Sequence, residues 1–532
     1  MSSNQSLYSA TQSPVATATN LDVEPIKKTS SDDLNAIATL VSKTSTTSST
    51  NSSTSKTTEQ AGLLASIWEF KVAALLCFLT AFTGFIFGWD VGTIGGMTNM
   101  TSLKTNFGSI DTNTGEYSLP SIIIGLIVSI FSIACAIGGL TLAKVADSWG
   151  RKWCLEFALI LYHIGTIIQW SSQWSGSWIH FMIGRIVMGL AIGTTAVVAP
   201  MFISESAPLK IRGSMVALYQ LCITLGILLG GCINFVSKSK LIGNTQWLFP
   251  LYLNHGFALI CMIGVAFMPE SAVYFVSIDK VDDARKSIAR LNSRSDALVN
   301  GELDRIVTSH ATLVAELEDS NWRDVFTGSP KNFKRLLIGV FIMLFQQFTG
   351  CNYFFYYGTS LFASVGIEDS YKTAIILGIV NFAATFPSLY LVERFGRKSC
   401  FIVGSIVMLI CMTIYASIGS VGFTSGVGGI TMIVFTCIYI VGFACTWGPV
   451  AFVTVSELYS TKTKAVSIGI ATSFNWIANF LISLFTPMIT SKIGFNFGFV
   501  FAGCLFASII FVITWVPETK GKTIEDVEEM YR

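Results

Sequence analysis

The chain has 532 residues, of which 52% are hydrophobic and only 12% are charged, and its formal net charge is +2. Soluble proteins carry about 25% charged residues, so this composition excludes an ordinary soluble domain, and the small net charge gives no indication of nucleic-acid binding. The twelve cysteines form no C-x-x-C pair and fall mostly within apolar runs, which argues against a disulfide framework or a zinc site. The sequence also lacks HExxH and GxSxG, so we do not expect an enzyme.

The first 66 residues are rich in Ser, Thr, Asn and Gln and poor in aromatic and branched apolar side chains. Such a segment cannot bury enough apolar surface to offset its conformational entropy, so residues 1–66 are predicted to be a disordered tail. We expect no cleavable signal peptide. The hydroxyls and lysines of the tail are candidate modification sites, and a passive tail is an equally good interpretation.

Apolar stretches follow, each about as long as the 20 residues that a helix needs to cross a bilayer. The twelve stretches cover residues 70–96, 120–143, 153–171, 177–202, 213–236, 248–268, 335–358, 371–392, 399–419, 428–455, 464–487 and 494–516. One long charged interval separates the sixth stretch from the seventh. The predicted organisation is a six-helix bundle (67–268), a helical linker (269–334), a second six-helix bundle (335–516) and a short tail (517–532).

The basic residues of the short loops predict the orientation. Ten lysines and arginines follow the second, fourth, eighth and tenth stretches, whereas five lie in the loops on the other side. Because positively charged loops stay in the cytoplasm, both termini and the linker are predicted to be cytoplasmic. Asn99-Met100-Thr101 then forms an outward glycosylation sequon, but it lies so close to the first stretch that we do not expect its use.

Several apolar stretches contain polar side chains at the depth of the bilayer, where they are costly. Carboxamides offer two donors and an acceptor without a charge, which suits a neutral polyhydroxylated ligand, and aromatic rings can pack on the faces of a sugar. The alternative is that the amides only bond helix to helix. The residues concerned are Gln220, Gln346, Gln347, Asn352, Asn381, Asn475, Asn479 and the aromatic Trp476.

Charged motifs at the ends of the stretches repeat once along the chain. DSWGRK at 147–152 returns as ERFGRK at 393–398, 246 positions later. Two like halves in a hydrophobic chain are typical of transporters. The spacing also pairs an acid with a base seven residues on, Glu205 with Arg212 and Glu457 with Lys464. Such clusters can hold one half to the other in one state of a cycle; a topology signal alone is the alternative.

Two ionisable side chains fall inside apolar stretches, Asp90 in the first and Arg185 in the fourth. Burying either charge alone is expensive, so the two are predicted to be partners. A proton or gating site and a static structural pair are equally compatible with the sequence.

Five ordered motifs together resemble the sugar porter family of the major facilitator superfamily: PMFISESAPLKIRG, QLCITLG, QQFTGCNYFFYYGTSLF, VERFGRK and PETKG. The similarity covers roughly residues 67–532, and FGWD and YFFYYGT look most like the yeast hexose transporters. The resemblance implies an all-α membrane protein with twelve transmembrane helices in two six-helix bundles, a cytoplasmic helical linker and alternating access. It also implies a plasma-membrane protein that needs no cofactor and is functional as a monomer.

The resemblance implies two sets of functional residues when it is carried over residue by residue. The sugar ligands fall on Gln220, Gln346, Gln347, Asn352, Asn381, Asn475 and Trp476, with Gly448 near the sugar. The cytoplasmic lock falls on Asp147, Arg151, Glu205, Arg212, Glu270, Glu393, Arg397, Glu457 and Lys464. Asp90 and Arg185 match a coupling or gating pair of proton-coupled relatives, although hexose facilitators carry the same aspartate.

The chain departs from the family pattern at Val273, where an arginine is usual, and at Phe452, where many relatives have tryptophan. Phe443 stands where a tyrosine would suit galactose-type relatives, which favours glucose. The expected function is therefore facilitated diffusion of a neutral monosaccharide, glucose in particular. A proton-coupled hexose symporter and a transporter-like glucose sensor are the alternatives, and the short C-terminal tail argues against the sensor.

Overall fold

Most of the residues that the computed structural model describes are helical, as expected where no water is available to satisfy backbone N–H and C=O groups. The structure describes residues 68–110, 115–208, 210–292, 296–317, 323–328, 331–364, 370–423, 426–460, 462–522 and 524–531. The predicted disordered tail, residues 1–66, lies outside the described residues.

The first half of the fold begins at α1. Its helices are α1 (Lys71–Ala81), α2 (Thr83–Thr98), α3 (Thr101–Phe107), α4 (Ser121–Leu140), α5 (Val145–Trp149), α6 (Arg151–Ser175), α7 (Trp178–Ser206), α8 (Arg212–Lys240) and α9 (Thr245–Phe267). Two short antiparallel strands, β1 (Ser109–Ile110) and β2 (Tyr117–Ser118), lie between α3 and α4.

The interval between the halves and the second half are helical as well. Four helices fill the interval: α10 (Ala272–Ser277), α11 (Val281–Asn292), α12 (Asp296–Leu317) and α13 (Asp324–Thr327). The second half comprises α14 (Asn332–Phe348), α15 (Cys351–Ser364), α16 (Ser370–Phe395), α17 (Arg397–Val421), α18 (Val427–Cys445), α19 (Trp447–Leu458), α20 (Lys464–Ile493) and α21 (Phe497–Trp515), and α22 (Ile524–Glu529) follows it.

Within the described residues, ten helical stretches are long and apolar enough to cross a bilayer. The longest, Lys464–Trp515, contains α20 and α21, which meet at Gly494. The 26-residue helix α16 covers a further predicted apolar stretch, 371–392. The prediction of an all-helical membrane protein is therefore confirmed.

Some apolar stretches contain a break that a single straight helix would not have. The stretch predicted at 335–358 consists of α14 and α15, which meet at Gly350. Gly350 has a φ of +91°, and a Cβ atom there would lie 2.7 Å from the ring of Phe501, so glycine is required for two reasons. The break redirects the chain and brings residues before and after it to one place.

The two halves touch closely at one end of the bundle, which we call the sealed end. A Cβ atom at Gly95 would lie 2.1 Å from the carbonyl oxygen of Tyr356, and one at Gly125 would lie 2.4 Å from that of Leu484. These backbone contacts join α2 to α15 and α4 to α20. The opposite end carries the repeated motifs that contain Arg151 and Arg397, and we call it the charged end.

The interval between the halves packs as a small helical unit beside the first half. Its apolar core joins α10, α11 and α12 through Val276, Ile288 and Leu303. Ser287 Oγ donates a hydrogen bond of 2.5 Å to the carbonyl of Glu270, which fixes α11 to the chain that leaves α9.

Candidate functional site

Four carboxamide side chains form a connected network in the second half. Gln347 Nε2 donates to Asn475 Oδ1 at 3.0 Å, and Asn352 Nδ2 donates to Gln347 Oε1 at 2.7 Å. Asn475 Nδ2 donates to Gln346 Oε1 at 2.6 Å and to the carbonyl of Met343 at 2.9 Å. The structure thus brings together four of the predicted sugar ligands from α14, α15 and α20.

The helix break at Gly350 explains how this network forms. Gln346 and Gln347 lie in the last turn of α14 and both bond Asn475, and the turn at Gly350 brings Asn352 of α15 back toward Gln347. Gln346 Nε2 also donates 3.1 Å to the carbonyl of Gly448, at the break between α18 and α19. Gly448, predicted to lie near the sugar, therefore contributes its backbone oxygen to the network.

An aromatic contact between the two halves lies beside the carboxamides. The ring centroids of Trp476 on α20 and Phe87 on α2 are 5.8 Å apart, and the planes are tilted. Trp476 follows Asn475 directly, so the aromatic pair borders the network. Phe87 was not predicted as a site residue, although it belongs to the FGWD motif that carried the family resemblance.

Two predicted sugar ligands stand apart from the network. Gln220 on α8 is exposed, and Asn381 on α16 is 4% exposed. Among the described residues, no hydrogen bond joins either side chain to the four carboxamides. Their helices touch at the sealed end, where a Cβ atom at Gly378 would lie 3.0 Å from the Cα of Leu228. Their place as sugar ligands stays a prediction.

Asn479, one turn after Asn475, has a different set of partners. Its Oδ1 accepts hydrogen bonds from Ser132 Oγ of the first half at 3.3 Å and from Ser483 Oγ at 3.1 Å. These are contacts between and within helices, as the alternative interpretation of the amides predicts. The carboxamide network and bonds to serine hydroxyls therefore occur one turn apart on α20.

Asp90 and Arg185 are partners, as predicted. The guanidinium of Arg185 donates to Asp90 Oδ1, and the two residues are 1% and 4% exposed, respectively. Arg185 Nε also donates 3.1 Å to the carbonyl of Ile127, and the guanidinium lies 4.7 Å from the ring centroid of Phe131. The pair therefore clamps α2 and α7 to α4, deep within the first half.

At the charged end, the first half holds Arg151 between two carboxylates. Arg151 Nε donates 3.0 Å to Glu205 Oε2, and its backbone N–H donates 2.9 Å to Glu270 Oε1. Burial raises the pKa of the Glu270 carboxyl, and hydrogen bonds from the backbone N–H groups of Ser271, Lys152 and Arg151 partly offset this rise. Ser271 Oγ also donates to Glu205, which closes the cluster.

The second half repeats this cluster almost atom for atom. Arg397 Nη2 donates 2.6 Å to Glu457 Oε1, and the backbone N–H of Arg397 donates 2.9 Å to Glu518 Oε1. Thr519 Oγ1 donates 2.6 Å to Glu457, in the place that Ser271 has in the first half. Glu518 was not among the predicted lock residues, although the repeated Pro-Glu motif at 269–271 and 517–519 could have identified it.

The acid–base pairs expected from the spacing of seven residues are wrong. Glu205 pairs with Arg151, and Arg212 instead lies 3.8 Å from Glu302 of α12. Glu457 pairs with Arg397 rather than with Lys464. Glu205 and Arg212 belong to different helices, because α7 ends at Ser206 and α8 begins at Arg212.

Two further predicted lock residues are exposed members of the repeated motifs. Asp147 is 3.5 Å from Arg151 with its side chain 74% exposed, and Glu393 is exposed on α16. The ion pairs of Arg151 with Glu205 and of Arg397 with Glu457 each join residues of the same half. A lock between the halves stays a prediction.

Apolar helices long enough to cross a bilayer, with matching charged clusters in the two halves, are typical of membrane transporters. A family model described as "Sugar (and other) transporter" matches residues 76–531. The low-affinity glucose transporter of Kluyveromyces lactis is 45% identical over 475 residues, which are 87% of this chain and 83% of that protein. The galactose transporter of Saccharomyces cerevisiae is 44% identical over 476 residues, covering 87% and 82% of the two chains.

A solved structure agrees with these relatives. It is that of XylE from E. coli, described as a major facilitator superfamily proton:xylose symporter bound to 6-bromo-6-deoxy-D-glucose. Its TM-score is 0.71 at 25% identity, and the match covers 87% of this chain and 99% of that one. The chain belongs to the sugar transporter family, as its motifs predicted, and its relatives are transporters rather than enzymes.

Proposed function

We propose that the protein carries a neutral hexose, glucose in the first place, across the plasma membrane by facilitated diffusion. The observation that carries this proposal is the network of neutral carboxamides formed by Gln346, Gln347, Asn352 and Asn475. A polyhydroxylated ligand can exchange amide–amide bonds for amide–hydroxyl bonds without desolvating an ion. The names of the relatives, a glucose, a galactose and a xylose transporter, support a monosaccharide as the substrate.

The residues of the site would divide the task of binding. Gln347 and Asn352 are half-buried, and a sugar hydroxyl can displace their mutual bond. Gln346 is buried and fixed by the carbonyl of Gly448, so it would orient the network rather than move. The ring of Trp476 would pack on an apolar face of the sugar. Gln220 and Asn381 would complete the site from the facing helices α8 and α16.

The proposed topology has twelve membrane-spanning helices. It counts Lys464–Trp515 as two spans and adds α16 to the ten apolar stretches. The bundles then occupy 67–268 and 335–516, with the linker 269–334, both tails and the charged end in the cytoplasm, as the basic loops favour. The sealed end would face outward. Each half is complete within one chain, which fits a functional monomer.

Proton-coupled hexose symport is the second candidate, because Asp90 is a buried carboxylate and XylE is described as a proton symporter. A carrier of protons must release its proton on one side and take it up on the other. The bonding of Arg185 to Asp90 and to the carbonyl of Ile127 favours a static pair. We therefore place facilitated diffusion first.

Uptake of radiolabelled hexoses into cells that lack their own hexose transporters tests the proposal. The parent chain should take up glucose, and Gln346→Ala or Asn352→Ala should lower uptake by about tenfold or more, because each loses hydrogen bonds and leaves buried partners unpaired. Asn496→Ala is the matched control. Among the described contacts, the side chain of Asn496 bonds only Ser420 Oγ and has no bond to the carboxamide network. Normal uptake by both site variants at equal surface amounts would refute the site.

A further inference from the structure

Asn99, the first residue of the sequon Asn99-Met100-Thr101, joins the two halves at the sealed end. Asn99 Nδ2 donates 2.9 Å to Thr359 Oγ1 and 2.7 Å to Ser360 Oγ. The hydroxyl of Ser360 in turn donates 3.0 Å to Asn99 Oδ1. Asn99 caps the C-terminus of α2 in the first half, whereas Thr359 and Ser360 lie on α15 in the second half. We call these three residues the Asn99 latch.

The latch lies within a continuous seam between the halves. Thr359 Oγ1 also donates 3.4 Å to the carbonyl of Gly95, and the hydroxyl of Tyr371 on α16 donates 2.8 Å to the carbonyl of Gly96. Gly95 itself leaves no room for a side chain against Tyr356. The end of α2 therefore meets α15 and α16 through side chains and backbone together, and the carboxamide of Asn99, directly after α2, forms hydrogen bonds across the seam.

The same contacts conflict with a glycan at this position. Both amide hydrogens of Asn99 point to hydroxyls of α15, and a glycan would replace one of them and occupy the space between the helices. Thr101, which completes the sequon, is exposed on α3 and takes no part in the seam. The sequence pattern and the contact can therefore be tested separately, because Thr101 can be changed without touching Asn99.

We propose that Asn99 is a positioning residue of the transport cycle, whose carboxamide stabilises the state closed at the sealed end, and that it is not a glycan acceptor. The inference rests on the proposed transport function. Alternating access requires the sealed end to be closed in one state and open in the other, so the seam must open during the cycle. Two to three hydrogen bonds across a seam that must part would change the balance between the two states without changing the sugar site.

A cysteine reporter measures this balance directly. Gly231 is buried at the seam of α8 and α16, and a Cβ atom there would lie 3.9 Å from Ala374, so Gly231→Cys fits when the end is closed. A membrane-impermeant thiol reagent, added to intact cells, should label it slowly. Asn99→Ala should increase the labelling rate by about three- to tenfold, as expected for the loss of one net hydrogen bond. The chain without Gly231→Cys gives the background from the native cysteines.

Two further variants separate the latch from the sequon. Thr359→Val with Ser360→Ala removes the hydrogen-bond partners of Asn99 and should increase the labelling rate as Asn99→Ala does. This double variant tests the latch independently if Asn99→Ala folds poorly. Thr101→Ala destroys the sequon but keeps the latch, so it should label like the parent. Endoglycosidase should leave the electrophoretic mobility of both the parent and Thr101→Ala unchanged.

Labelling of Asn99→Ala and of the Thr359/Ser360 variant at the parental rate would overturn the latch. An endoglycosidase shift in the parent that Thr101→Ala abolishes would show a glycan on Asn99 and also overturn it. A different result would contradict the proposed function, namely a parent chain that takes up no hexose. The labelling experiment is independent of that result, because it needs no sugar.

Discussion

At the scale of single residues, the partners of a carboxamide decide its role. Asn475 and Asn479 lie one turn apart on α20, yet Asn475 bonds to Gln346 and Gln347 while Asn479 bonds to the hydroxyls of Ser132 and Ser483. A ligand that offers hydroxyls can replace the amide partners of Asn475. The bonds of Asn479 instead hold α4 to α20 and one turn of α20 to the next. The same side-chain chemistry therefore has amide partners at one position and hydroxyl partners one turn later, and only the first arrangement matches the sugar site that we propose.

Gly396 gives a residue-scale prediction about the charged end. Its φ is +85°, and a Cβ atom there would lie 2.7 Å from Glu518 Oε2. Gly396→Ala should lower the free energy of unfolding by about 1–2 kcal/mol, because alanine is strained at positive φ and displaces the Glu518 carboxylate. Thermal melting of the purified protein in detergent measures this.

Gly503→Ala on α21 is the matched control, because no heavy atom would lie within 4 Å of its Cβ. In a helix interior this change should leave the melting temperature equal or slightly higher. Equal melting temperatures of the two alanine variants would show that position 396 does not require glycine.

The sequence predicted residues well where one physical rule dominates. The cost of a buried charge was enough to pair Asp90 with Arg185, and the depth of the amides was enough to select Gln346, Gln347 and Asn475. Spacing failed for Glu205 and Arg212, because a spacing of seven implies one helix and the chain turns between them. The seam contact of Asn99 could not be predicted, because it depends on how the two halves meet.

At the scale of elements, the linker helices form a separate small core. Ile288 of α11 is 4% exposed and packs in the cluster that joins α10, α11 and α12, whereas its neighbour Ala289 is exposed. The buried apolar residues of this cluster all belong to the interval, and α12 contacts Arg212 of the first half through Glu302. The cluster can therefore loosen without disturbing the carboxamide network of the second half.

Replacing Ile288 with aspartate should open this unit. Ile288→Asp buries an unpaired charge and should lower the local free energy of unfolding by about 2 kcal/mol or more. Hydrogen exchange of residues 281–306 should then become faster, while glucose uptake per molecule at the surface stays close to parental. Ala289→Asp, at an exposed position, is the control. Equal exchange in the two variants would contradict the packing of α11.

At the scale of the whole molecule, the two ends of the bundle differ in kind. The charged end has matching clusters around Arg151 and Arg397, each closed within its own half, so each cluster can move as part of a rigid half. The sealed end instead joins the halves through backbone contacts and the Asn99 latch. A cycle that opens the sealed end must break these contacts and form new ones elsewhere, and the exposed Asp147 and Glu393 are available at the charged end.

The last prediction concerns energy coupling. Arg185 holds Asp90 from one side and the carbonyl of Ile127 from another, so the pair is anchored within one half and does not depend on which end is open. A carboxylate that keeps the same cationic partner throughout the cycle is a static structural partner rather than a proton carrier. Proteoliposomes with an imposed pH gradient, acidic outside, should therefore take up glucose only to equilibrium, at the level reached without a gradient.

The matching variant must remove both charges of the pair. Asp90→Asn alone leaves a buried arginine unpaired and should destabilise the protein by about 3–5 kcal/mol. The informative variant is therefore Asp90→Asn with Arg185→Leu, which should still mediate exchange of glucose. Accumulation of glucose above equilibrium by the parent, lost in this double variant, would identify a symporter and show that the pair carries the proton.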